Sequence, residues 1–103
     1  MIDQYIHDYC DILNEKYAAA NKIMNRTIPY EFVPVKGRKY TKIIQRRVNE
    51  TKLMGSAHAF VDADGNIYKP ASWSAPAKGV RANVKNTEWL RQNATWSGGY
   101  LYY

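Results

Sequence analysis

The residues Ile2, Tyr5, Ile6, Tyr9, Leu13, Tyr17, Ala20 and Met24 recur at spacings of three and four along the start of the chain. That period places them on one stripe of an amphipathic helix over about residues 3–24. Asp3 is expected to cap its start, and Asp8, Asp11 and Glu15 to line its wet face. Acids near the start also suit the helix dipole. Pro29 follows soon after the stripe and predicts its end. A stripe this long needs another layer to bury it, so the remaining chain must supply a surface.

That surface reads as antiparallel strands. Residues 30–35 are β-rich, but Pro34 cannot donate to a ladder, which assigns them to a sheet edge. Lys36-Gly37-Arg38 turns the chain into a basic second strand over residues 39–48, followed by a polar loop over 49–56. Residues 57–62 and 66–69 then bracket Asp64-Gly65, a short-range hairpin signal. A three-residue loop ending at Gly65 would pair Phe60 with Tyr68 on one face and Val61 with Ile67 on the other. Residues 70–84 are rich in Ala, Ser, Pro and Gly, and Ser74 with Pro76 is expected to open a short helical turn. A short helix is expected over Thr87 to Asn93, capped by Asn86. The uncharged stretch 93–103 is expected to form either a final edge strand or a partly ordered tail.

The expected fold is therefore α+β. A long N-terminal helix packs on a small sheet of three or four antiparallel strands, followed by a short C-terminal helix and tail. A length of 103 residues gives one such domain. Its parts are the helix over 1–25, the meander over 30–70, and the loop, short helix and apolar tail over 71–103. Hydrophobic residues at 46 % and charged residues at 23 % argue against wholesale disorder. A single cysteine, Cys10, precludes an internal disulfide and fits a reducing compartment. The start carries no basic region ahead of an apolar run, and no apolar stretch approaches the ~20 residues a membrane helix needs. A cytoplasmic protein with no membrane partner is the expectation.

Catalytic constellations are hard to assemble. The run Asp62-Ala63-Asp64-Gly65-Asn66 begins like a calcium loop, but Ile67 and Trp73 stand where Gly and a chelating Glu are needed. His7, Cys10 and Asp11 fall close together on the helix, with only His58 left to complete a metal site. Cys10 beside the apolar stripe reads as an inert buried thiol. His58 and Asp62 share a strand face by alternation, but four residues at ~3.3 Å each separate them beyond hydrogen-bond reach. No phosphate-binding Gly-rich loop occurs. Neither an enzyme, nor a metal, nor a cofactor is expected.

Charge and aromatic residues give a more specific signal. The net charge of +6 is uneven: residues 1–35 hold five acids and three bases, net −2, and residues 36–103 hold four acids and twelve bases, net +8. Lys36, Arg38, Lys39, Lys42, Arg46, Arg47 and Lys52 crowd one stretch with Tyr40 among them. A second set, Lys69, Trp73, Lys78, Arg81 and Lys85, lies among small residues. Such charges can also serve a solvated face. Arginine binds phosphate bidentately and tryptophan stacks on bases, so both sets suit a phosphate-bearing ligand. The expected ligand contacts are Tyr40, Lys42, Arg46, His58, Lys69, Trp73, Lys78 and Arg81.

A resemblance adds context. Ser56-Ala57-His58-Ala59-Phe60-Val61-Asp62, the Gly65 turn, Ile67-Tyr68-Lys69-Pro70-Ala71-Ser72-Trp73 and Pro76-Ala77-Lys78 resemble a largely uncharacterised family of small tailed-bacteriophage proteins. Tyr40-Thr41-Lys42-Ile43-Ile44 looks similar too, whereas residues 1–25 and those after Val84 lie outside the pattern. The resemblance implies an accessory protein acting in the cytoplasm of an infected bacterium, in host takeover or counter-defence, and no defined activity. The leading expectation is a non-enzymatic protein that binds a nucleic acid or a nucleotide signal of host immunity. Two other readings stand beside it. One is an inhibitor binding a host protein through its Tyr/Trp surface. The other is a virion component, with the apolar tail from Trp96 to Tyr103 pairing with a neighbouring subunit as an added strand. A homo-oligomer is also among the expected partner arrangements.

Overall fold

The N-terminal stripe forms one α-helix, α1, over Ile2–Ile23. It buries Ile6, Tyr9, Cys10, Ile12, Leu13 and Tyr17, and Ile2 and Tyr5 pack against the same core. The structure, a computed structural model, describes residues 2–25, 30–48 and 55–102. Two details differ from the expectation. Asp3 lies inside the first turn rather than capping it, where its charge still meets the positive end of the dipole. Met24 lies past the helix and is exposed, because Asn25 turns left-handed at φ 53° and the Asn25 N–H donates to the Lys22 carbonyl. Asparagine tolerates that conformation and closes helices this way. Pro29, Lys52 and most of the expected polar loop lie outside the described residues.

Five strands form one antiparallel meander in chain order: β1 Tyr30–Lys36, β2 Thr41–Arg47, β3 Ser56–Val61, β4 Asn66–Tyr68 and β5 Ala82–Asn83. The fifth corrects the expected three or four. It is two residues long and pairs Ala82 with Ile67, too short to carry a periodic signal. β1 is an edge, as Pro34 requires. Its Phe32 N–H donates to Asn14 Oδ1 at 2.7 Å, and Asn14 Nδ2 donates to the Phe32 carbonyl at 3.1 Å. One helical amide thus occupies backbone groups that an unprotected edge would offer to another chain.

The β3–β4 hairpin has the expected register, with Phe60 opposite Tyr68 and Val61 opposite Ile67. Gly65 sits at φ 87°, and a side chain there would meet Val84 Cγ2 at 2.9 Å. Asp62 fastens the turn, accepting hydrogen bonds from the backbone N–H groups of Asp64 and Asn66, from Asn66 Nδ2 and from Tyr68 Oη. Burial alone would raise its pKa, but those donors outweigh it and hold the carboxyl below its ordinary value.

Residues after the sheet depart from expectation at two places. No helical turn forms at Ser74–Pro76. Pro70 bridges Pro76, and the N–H groups of Ala71 and Ser72 both donate to the Ala75 carbonyl, giving a bent excursion. The C-terminal stretch is neither strand nor loose tail. Gly98 at φ 83° starts a 3-10 turn over Gly99–Leu101, which buries Tyr100 and Leu101. Between these, α2 spans Thr87–Asn93, with Asn86 accepting from the Trp89 N–H as expected. Lys16 on α1 donates to the Leu90 and Ala94 carbonyls at the C-terminal end of α2. The core joins α1, α2, the 3-10 turn and Phe32, Ile43, Ala59, Val61 and Ile67 of the sheet.

Candidate functional site

Strand alternation assigns the sheet's two faces. Phe32, Ile43, Ala59, Val61 and Ile67 point into the core beneath α1. The opposite face carries Val35, Lys42, Phe60 and Tyr68 as one row, since Val35 pairs with Lys42, Lys42 with Phe60 and Phe60 with Tyr68. Arg81 extends the row. Its N–H donates to the Ile67 carbonyl at 2.8 Å, which continues the β4–β5 register and brings Arg81 beside Tyr68. A second row holds Val33 and Ile44, and a third holds Glu31 and Arg46. This outer face is therefore basic and aromatic by register.

Ring contacts organise the row. Tyr40, just before β2, meets Phe60 and Tyr68 edge-on, with centroids 6.1 and 5.8 Å away. Lys42 Nζ lies 3.8 Å from the centroid of Trp73, which arrives from the bent 70–76 segment. That distance lies well inside the ~6 Å reach of a cation over a ring and favours the ammonium there. Trp73 remains 41 % exposed and lines a cleft of about 340 Å³ with Gly55, Ser56, Ala57 and Ser72. Arg46 makes a long ion pair with Glu31 at 3.5 Å, and its buried Nε has no acceptor among the described residues. Beyond Tyr40, a cavity of about 230 Å³ is bordered by Lys36, Arg38 and Lys39 of the β1–β2 turn and by Asp3 and Asp62.

Of the residues expected to meet a ligand, the fold thus brings Tyr40, Lys42, Trp73 and Arg81 together, with Arg46 on the same face. Lys78 stands exposed on the excursion after Pro76. Lys69 and His58 go elsewhere. The Lys69 ammonium lies 5.1 Å from the centroid of Tyr102, beyond the last core turn. His58 is displaced by a bulge: Ile43 opposes Ala59 while Ile44 opposes Ala57, so His58 is an extra residue in β3. A bulge re-aims side chains, and here it sends His58 inward among Phe32, Tyr9 and Tyr100. The expected shared face of His58 and Asp62 is therefore not formed.

His58 Nε2 lies 2.7 Å from Tyr100 Oη, which in turn hydrogen-bonds Tyr9 Oη. Burial lowers the His58 pKa to about 4, so the ring is neutral at pH 7. Burial raises Tyr9 and Tyr100 above the ordinary phenol value and pushes the Cys10 thiol up to about 12. In sequence Phe60 and Tyr68 read only as a hairpin pair; their place in the site comes from Tyr40 packing edge-on against both. Among the described residues no three His, Cys, Asp or Glu are placed to hold a metal ion, and no helix is long and apolar enough to cross a membrane.

These features define a small α+β protein with one sheet face sealed by helices and the other carrying cations and rings. The chain belongs to a family of unknown function, DUF7717, whose model matches residues 1–103. No curated protein and no solved structure matches it.

Proposed function

We propose that the protein is a non-enzymatic binding protein whose outer sheet face takes a phosphate-bearing ligand, a single nucleic-acid strand or a nucleotide. The observation that carries this reading is the Lys42–Trp73 stack, set in a row with Phe60, Tyr68 and Arg81. Phe60 and Ile44 are buried beneath this face, and the exposed Trp73 above them, with the cations around it, suits bases by stacking and phosphates by charge, without reading sequence. Arg46 supports it, since its buried Nε awaits an acceptor. Nearby groups suit binding rather than turnover: the Asp62 carboxylate is engaged by four donors, and His58 faces the core. In the setting implied by the resemblance to phage proteins, this is an accessory protein in the cytoplasm of an infected bacterium, working in host takeover or counter-defence.

The test compares wild type, Lys42→Gln and Trp73→Ala for binding to a short single-stranded oligonucleotide and to a panel of cyclic and linear nucleotides. Both variants should keep the fold and weaken binding by about tenfold or more, the loss of one stacked base or one charge-assisted contact. Failure of wild type to bind any of them at low salt refutes the reading, as does affinity unchanged in both variants.

A further inference from the structure

The bulge that turns His58 away from the outer face places it at the floor of another cavity. This space, about 330 Å³, lies between the start of β3 and the C-terminal turn. Gln45, Ser56, His58, Trp96, Gly98 and Tyr102 line it. Gly98 borders the imidazole, since a Cβ there would sit in ordinary contact, 3.6 Å from His58 Cε1 and 3.8 Å from Nδ1. Its left-handed φ of 83° is what favours glycine at this position.

The tautomer of His58 follows from its buried partners. Tyr9 is 0 % exposed, and Tyr100 Oη is the hydrogen-bond partner of its hydroxyl. If His58 Nε2 donated to Tyr100, Tyr100 would donate onward to Tyr9, and the Tyr9 proton would be buried without an acceptor. The reverse order satisfies every group: Tyr9 donates to Tyr100, and Tyr100 donates to His58 Nε2. Burying an unsatisfied donor is strongly unfavourable, so the second order prevails. His58 then carries its proton on Nδ1, on the ring edge nearest Gly98 and the cavity. No described residue accepts from it.

We propose that this cavity is a second ligand site, taking an uncharged nucleobase whose ring nitrogen or carbonyl accepts from His58 Nδ1–H. The lining supplies two aromatic rings, one amide and serine hydroxyls, with no carboxylate or ammonium among them. That set fits a neutral planar ring bearing hydrogen-bond acceptors and does not fit a free phosphate. The volume suits a single base with its sugar at the mouth. The site shares Ser56 and Ala57 with the cleft at Trp73 but is built around His58, Trp96 and Tyr102, and it does not rest on the outer-face reading.

The experiment titrates adenosine, guanosine, cytidine and uridine separately into the protein, with inorganic phosphate alone as a control, and follows the His58 imidazole by ¹H–¹⁵N NMR. Tyr102→Ala is the main variant, because Tyr102 is 55 % exposed and its loss leaves the core intact. At least one nucleoside should saturate the protein and shift the His58 Nδ1 resonance. Tyr102→Ala should weaken that binding by about tenfold. Four results overturn the proposal: no binding of any nucleoside at millimolar concentration, binding that leaves His58 unmoved, binding indifferent to Tyr102→Ala, or a His58 shift with phosphate alone.

Discussion

Lys42 reaches Trp73 across thirty-one positions of sequence, its ammonium 3.8 Å from the ring centroid. The contact pins the bent 70–76 segment onto the second strand. A cation over an exposed indole contributes about 0.5–1 kcal/mol. A double-mutant cycle with Lys42→Met and Trp73→Leu, read by urea unfolding, should return a coupling of that size. Strict additivity would show that the contact is not held in solution.

Gly65→Val should destabilise the fold by about 1 kcal/mol or more. The φ of 87° is strained for any β-branched residue, and the added carbon would meet Val84 Cγ2 at 2.9 Å. An unchanged melting temperature would contradict the turn.

Acid should unfold the protein partly through His58. Its folded pKa is about 4 against 6.5 for the free side chain, so between these values the unfolded chain binds the extra proton. Stability is therefore full above pH 6.5 and falls as pH drops toward 4, by about 3 kcal/mol. Denaturant unfolding at pH 7, 6, 5 and 4 measures it. His58→Gln should flatten the slope in this window, and an equal slope in that variant would assign the effect to other groups.

Tyr100→Phe removes the acceptor of Tyr9 and the donor of His58 in one step. The two buried partners left behind should lower stability by about 1–3 kcal/mol each at most, with little change in shape. Thermal unfolding of the variant, compared with exposed Tyr102→Phe, checks this. Equal melting temperatures for the two would contradict the buried relay.

What the sequence made legible was local. The α1 stripe, the Asp64-Gly65 hairpin with its register, and the Asn86 cap of α2 each depend on residues within a few positions of one another. The pieces that escaped depend on pairing across the chain. His58 looks like an outer-face residue by alternation, and only the mismatch between β2 and β3 sends it inward. Tyr100 and Leu101 carry no periodic signal, so their burial beneath α1 follows from the assembled core alone. The same split applies to the candidate site. The basic and aromatic residue types were visible in sequence, and alternation puts Lys69 on the face opposite Tyr68, but the partners Trp73 for Lys42 and Tyr102 for Lys69 come from segments that only the assembled fold brings near.

The most direct test of the central claim maps backbone and side-chain shifts while a short single-stranded oligonucleotide is titrated in at low salt. Perturbations should concentrate at Lys42, Tyr68, Trp73 and Arg81, and affinity should fall with salt by a log–log slope of about −0.7 for each phosphate contacted. Shifts confined to the wet face of α1, or none at saturating oligonucleotide, would contradict it.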